Sequence, residues 1–116
     1  MLPATYNFPT QYAGDTVAKR RFTVTRTVNG VTSPENLTGV AIRCWFARRG
    51  EQPAVYQFAV GSGITIVNAA GGVFDLNAFP APSPGTYSYD IEFTYPDSRV
   101  RTYVAGSMLV REDVSQ

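Results

Sequence analysis

The stretch Pro84-Gly85-Thr86-Tyr87-Ser88-Tyr89-Asp90-Ile91-Glu92-Phe93-Thr94-Tyr95 decides the fold class. Tyr87, Tyr89, Ile91, Phe93 and Tyr95 occupy every second position, with Ser88, Asp90, Glu92 and Thr94 between them. A period of two is that of a strand with one apolar face. Pro84-Gly85 ends whatever precedes the run, and Pro96-Asp97 ends the run itself. The turn at Pro96-Asp97-Ser98 then leads into a second long run over 100–110, so the two strands form a central hairpin.

Upstream, short alternating runs and turn residues recur. Phe22, Val24, Arg26 and Val28 alternate with polar residues until Asn29-Gly30, a pair that tolerates the two positive φ values a tight hairpin needs. Further strands are expected over 40–48, 55–60, 64–67 and 72–76. The stretches Gly61-Ser62-Gly63 and Gly71-Gly72 are read as turns, because neither lies in the strand-loop-helix setting of a phosphate cradle. The proline-rich segment 79–84 is expected to be neither helix nor ladder. No window has a capped helical period. Seven or eight short strands within 116 residues predict one all-β sandwich domain over 16–116. Residues 1–15 hold Pro3, Pro9 and Gly14 and are expected to form an extended N-terminal arm. That arm carries Leu2, Tyr6, Phe8 and Tyr12, which must lie on something apolar, either the chain's own domain or a neighbouring subunit.

Composition narrows the function. Charged residues are only 16% of the chain, against roughly 25% in typical soluble domains, which leaves a surface rich in Thr, Ser, Asn, Gly and Tyr. Such a surface suits a protein packed against neighbours. A net charge of +1 supplies no field to attract nucleic acid or an anionic membrane. No signal-peptide pattern and no apolar run near the ~20 residues of a membrane helix are present, so the Asn36-Leu37-Thr38 sequon is read as irrelevant.

Histidine is absent, which removes the commonest general base, the commonest zinc ligand and every Ser-His or Cys-His pair. Cys44 alternates with Ile42 and Phe46 and is read as a core residue. Asp90 and Glu92 stand about 7 Å apart along one strand face, but on the wetter side, where a carboxyl is not pushed toward acid/base work. No catalytic residue, metal site or cofactor is expected. Trp45, between Arg43 and Ala47, falls on the face opposite Ile42 and Cys44 and is a candidate exposed anchor, unless a bulge turns it inward. The clusters Lys19-Arg20-Arg21 and Arg48-Arg49 read as solvated strand ends, as partners for an acidic neighbouring subunit, or, least, as nucleic-acid contacts.

One resemblance gathers these features. Gly14-Asp15-Thr16, the strand Phe22-Thr23-Val24, Asn36-Leu37-Thr38-Gly39 before Ile42-Arg43, Gly63-Ile64-Thr65-Ile66, Gly85 to Ile91 and a Gly106 strand ending in Glu112-Asp113-Val114 follow one another in order. This order resembles small tailed-bacteriophage virion structural proteins, especially the immunoglobulin-like N-terminal domain of the siphophage baseplate upper protein. It covers about 6–114. The pattern has Asp where this chain has Asn36, and either side chain caps that turn. A baseplate upper protein continues into a stalk, whereas this sequence stops at Gln116.

The resemblance implies an immunoglobulin-like antiparallel β-sandwich and a non-enzymatic virion protein, assembled in the bacterial host cytoplasm. Its partners would be the major capsid protein, for a decoration or cement protein, or baseplate and tail proteins, for an adaptor. It would act as a homo-oligomer or symmetric array, without nucleic acid or membrane. The expected contact residues are Leu2, Tyr6, Phe8, Tyr12, Trp45, Arg48 and Arg49, and deleting residues 1–12 is expected to abolish assembly while leaving the fold intact. The alternative is a carbohydrate- or host-surface-binding sandwich module that stacks sugars on Trp45 and tyrosines.

Overall fold

The computed structural model describes residues 4–49 and 54–112. Its strands are β1 (Ala4–Thr5), β2 (Gln11–Tyr12), β3 (Thr16–Val17), β4 (Arg20–Thr23), β5 (Thr25–Val28), β6 (Val31–Pro34), β7 (Ala41–Arg48), β8 (Tyr56–Val60), β9 (Gly63–Asn68), β10 (Val73–Leu76), β11 (Phe79–Pro80), β12 (Gly85–Thr94) and β13 (Val100–Arg111). Hydrogen bonding runs in the order β1-β13-β12-β7-β8-β9-β10-β4, with β2 also on β13. The sheet curls on itself through the short β8–β9 link. One layer is β13-β12-β7-β8, the other β9-β10-β4, and the inward faces of both meet in one core. Chain order crosses between the layers from β4 to β7 and from β10 to β12, which is the arrangement of an immunoglobulin-like sandwich.

The opening stretch does what its period requires. In β12, Tyr87, Tyr89, Ile91 and Phe93 are buried, and β12 lies between β7 and β13 in antiparallel register. Tyr87 donates its hydroxyl hydrogen to the Ser83 carbonyl four residues upstream (2.6 Å), which is a tyrosine corner at the start of that strand. Two residues on, where an antibody domain has its inter-sheet cysteine, Tyr89 fills the space with its ring and donates to the Tyr6 carbonyl (2.6 Å). Tyr95, one residue past the strand, also lies inward, at 9% exposure under the Arg99 guanidinium.

Three local expectations change. The 22–28 run is two elements: β4 stays in the sheet, while β5 leaves it and pairs only with β6. The hairpin turn is as read, with positive φ at Asn29 (51°) and Gly30 (78°), but all eight hairpin residues are exposed. Phe79-Pro80, read as unable to join a ladder, pairs with Thr16-Val17 because proline still offers a carbonyl and the pairing is only two residues long.

The third change concerns the arm. It lies on the chain's own domain, and as sheet: β1 and β2 each pair in parallel with β13. Between them Tyr6 and Phe8 donate backbone N–H to the Ala105 and Ser107 carbonyls (3.1 and 2.9 Å), and Asn7 accepts from Ser107. Gly106 makes this approach possible, since a Cβ there would run into the Tyr6 carbonyl. The pairing is broken into two short segments, one on each side of Pro9.

Candidate protein-binding face

The structure sorts the seven residues expected to meet a partner into separate groups. Leu2 lies outside the described residues. Phe8 is buried in the core, its ring 5.1 Å from Tyr89 and 5.7 Å from Phe46, so it cannot meet a neighbour without leaving its own domain. Tyr6 is half-buried between Phe8 and Phe22, with the Arg20 guanidinium 4.3 Å over its ring. Tyr6 and Phe8 thus both hold the arm to the chain's own sandwich. Tyr12 remains exposed at 45%.

Arg48 follows Ile42, Cys44 and Phe46 in parity and turns toward the tyrosine corner, donating to the Tyr87 hydroxyl (3.1 Å). It braces a turn within the chain. Arg49 is exposed, with its backbone N–H on the Thr86 carbonyl. The other basic cluster is also spent internally. Arg21 donates to both carboxylate oxygens of buried Asp75 (2.9 and 3.2 Å) and Lys19 stands 3.7 Å from it, so this cluster neutralises an acid of the chain's own sheet.

The Arg21 hydrogen bond holds the Asp75 carboxyl below the usual carboxylate range, against the opposing effect of burial. Its folded-state pKa is lower than its unfolded one, so the stabilisation is full above about pH 4 and is lost as pH falls through the folded value. Urea midpoints measured across the acid range should therefore drop less steeply for Asp75→Asn than for the parent; equal slopes would deny the Asp75–Arg21 pair its role.

Trp45 is half-buried on the outer face, as alternation predicts; β7 runs from Ala41 to Arg48 in unbroken register with β12, so no bulge turns it inward. Its cross-strand neighbours are Asp90 on β12 and Gln57 on β8, and Asp90 in turn faces Ala105 on β13. Adjacent rows are Arg43 with Glu92 and Thr102, and Ala47 with Ser88 and Ser107. The result is an outer face on which one large aromatic stands between a row of small residues (Ala47, Ser88, Ser107) and a row that pairs Arg43 with Glu92. A shallow hollow of about 180 Å³ beside the indole is lined by Arg43, Trp45, Gln57, Phe58 and Ala59. Partial burial raises the Asp90 carboxyl above its ordinary range.

Burial likewise pushes the Cys44 thiol far up, leaving it a packed, unreactive group. Asn36 accepts from the Thr38 N–H (3.0 Å) and caps its turn, while Leu37 between them is fully buried. Among the described residues no helix is long and apolar enough to cross a membrane, and no group of three or more His, Cys, Asp or Glu could hold a metal.

No family model and no curated protein matches the chain. A solved structure of murine CRIg matches 96% of this chain and 93% of that one, at 9% identity and a TM-score of 0.35. The immunoglobulin-like assignment rests on the strand order and the tyrosine corner, not on that likeness.

Proposed function

We propose that this chain is a non-enzymatic bacteriophage virion protein that binds other virion proteins through the outer face of the β13-β12-β7-β8 layer. The observation that carries the binding mode is the half-exposed Trp45 on the outer face, opposite Asp90 and between a row of small residues and the Arg43–Glu92 row. Interface energy concentrates on such central aromatic anchors ringed by groups that exclude water. The virion setting rests on the ordered sequence motifs, which favour a capsid decoration or cement protein, or a baseplate or tail-fibre adaptor. Symmetric copies of the chain would present this face repeatedly.

Two measurements test the reading. Particles carrying the protein labelled at its C-terminus should show the label over the head for a decoration protein, or at the tail tip for an adaptor. Unlabelled particles from a host that makes the labelled protein would end the virion proposal. Trp45→Ala should cost about 2 kcal/mol or more of binding, seen as loss of incorporation, without an equal loss of folding stability, since the indole is not in the core. Full incorporation of that variant would move the contact off this face.

The hollow beside the indole also favours a second reading, a glycan-binding module in which Trp45 stacks on a sugar ring and Gln57 and Arg43 bond its hydroxyls. Binding of the isolated domain to a glycan array, lost in Trp45→Ala, would select it over the first.

A further inference from the structure

A second concave site lies at the end of the sandwich where the β5–β6 hairpin meets the β12–β13 turn. It is a hollow of about 240 Å³ whose lining includes Arg26 and Val28 from the hairpin, Glu35 just after it, and Tyr95, Arg99 and Arg101 from the turn and its flanks. Three guanidinium groups therefore converge from two elements far apart in sequence, on a chain whose net charge is only +1.

Each arginine is put there by a specific device. The register of β12 on β13 shifts between Ile91 and Glu92: Ile91 faces Val104, but Glu92 faces Thr102. Tyr103 is the extra residue of this bulge, and the shift brings Arg101 opposite buried Phe93, on the inward side. Without the bulge, Thr102 would occupy that side and Arg101 would point away. Arg99 is oriented by its Nε bonds to Asp97 (2.9 and 3.2 Å) and by the Tyr95 ring, 4.7 Å below its guanidinium. Arg26 stands 3.8 Å from Glu35, an ion pair beyond hydrogen-bond distance. Tyr103 ties the hairpin root to the body, donating its hydroxyl to the Thr25 carbonyl (3.1 Å) and stacking on Phe93 (5.0 Å).

We propose that this hollow takes a carboxylate-bearing segment of a partner protein, an acidic peptide. Forked guanidinium donors match a carboxylate edge, and their partial immobilisation lowers the ordering cost of binding. The volume suits one or two side-chain carboxylates and is below the ~300 Å³ at which sites for whole small-molecule ligands begin. A peptide is favoured over a nucleic-acid strand by Val28, which lines the hollow at 50% exposure, and its cross-strand partner Val31 at 67%, which offer apolar contacts to residues flanking the acid. Among the described residues Glu35 pairs with Arg26 and Asp97 with Arg99; Glu35 lies inside the hollow, only 15% exposed, and opposes the incoming charge. The site is separate from the Trp45 face and stands or falls apart from it.

Hexaglutamate titrated into the isotope-labelled full chain at low salt is the test. The expected result is chemical-shift change confined to the hairpin root and the residues around Arg99 and Arg101, weakening as salt rises. Arg26→Gln and Arg101→Gln should each lower affinity by about tenfold, the size expected for one charge-assisted contact. Glu35→Gln should instead tighten it several-fold, which loss of a merely structural contact would not do. Unchanged unfolding midpoints verify the fold of each variant, and the Trp45→Ala protein should bind the peptide normally. Shifts scattered over the surface, affinity indifferent to both arginine changes, or equal binding of a short oligothymidylate through the same residues would each overturn the assignment.

Discussion

Replacing Phe8 with alanine is expected to lower folding stability by about 3–5 kcal/mol, the usual cost of emptying a buried phenylalanine site. The ring touches Tyr6, Phe46 and Tyr89, and so joins the N-terminal segment to the two central strands β7 and β12. A loss of that size is a large share of the ~5–15 kcal/mol that holds a domain folded. The urea midpoint of the purified protein measures it. Gly106→Val reaches the same contact from the other side: Phe8 is kept, but the new Cβ would meet the Tyr6 carbonyl carbon at 2.8 Å as well as its oxygen, so β1 must move off β13. Both variants should therefore shift the midpoint in the same direction. Unchanged midpoints in both would mean that the segment contributes nothing to the fold and is free to dock elsewhere. Deleting residues 1–12 is accordingly expected to weaken the fold itself, so failure of such a truncation to assemble says nothing by itself about a docking arm.

That the arm joins the sheet is not legible in its sequence, for a physical reason. Its apolar residues were legible, and so was the need to bury them, but proline and glycine spacing speaks only to long ladders. Two-residue parallel pairings on either side of Pro9 leave no periodic trace. The permissive feature, Gly106, lies a hundred residues away and reads as one glycine in a strand. By contrast, three inferences from local period and turn chemistry hold: the burial of alternate residues in β12, the positive φ pair at Asn29-Gly30, and Trp45 on the outer face with Cys44 inside. What period could not convey was where a run leaves the sheet. Phe22, Val24, Arg26 and Val28 continue one alternation although the chain changes partners after Val24, because solvent-exposed hairpin strands alternate as buried ones do. The same limit hid the cationic hollow. Arg101 and Arg26 are unremarkable in sequence, and only the Tyr103 bulge and the departure of β5 bring them together.

That departure has a single pivot, and Gly72→Ala should expose it. Gly72 sits at the start of β10 with φ at +72°, and its carbonyl accepts from the Val24 N–H (2.8 Å) at the point where the chain leaves β4 for the hairpin. The Val24 carbonyl in turn accepts from Glu35 N–H (2.9 Å) as the chain comes back, so both strands of the hairpin are rooted on this glycine. A Cβ at position 72 would drive into the Val24 carbonyl oxygen and lie 2.9 Å from that of Glu35. Neither is the movable end of a side chain. The left-handed φ alone costs an L-residue about 1–2 kcal/mol, and overpacking against fixed atoms adds about 1–3 kcal/mol. A total loss of about 2–5 kcal/mol in urea unfolding is expected. The structural consequence is more telling than the magnitude. If the root shifts, Arg26 moves relative to Arg99 and Arg101, and hexaglutamate binding should weaken although no charge has changed, while Trp45 on the far layer keeps its environment, read by indole fluorescence. A variant that loses stability but binds the peptide as before would mean that the hairpin is positioned by Tyr103 alone and that Gly72 serves only the β9–β10 turn.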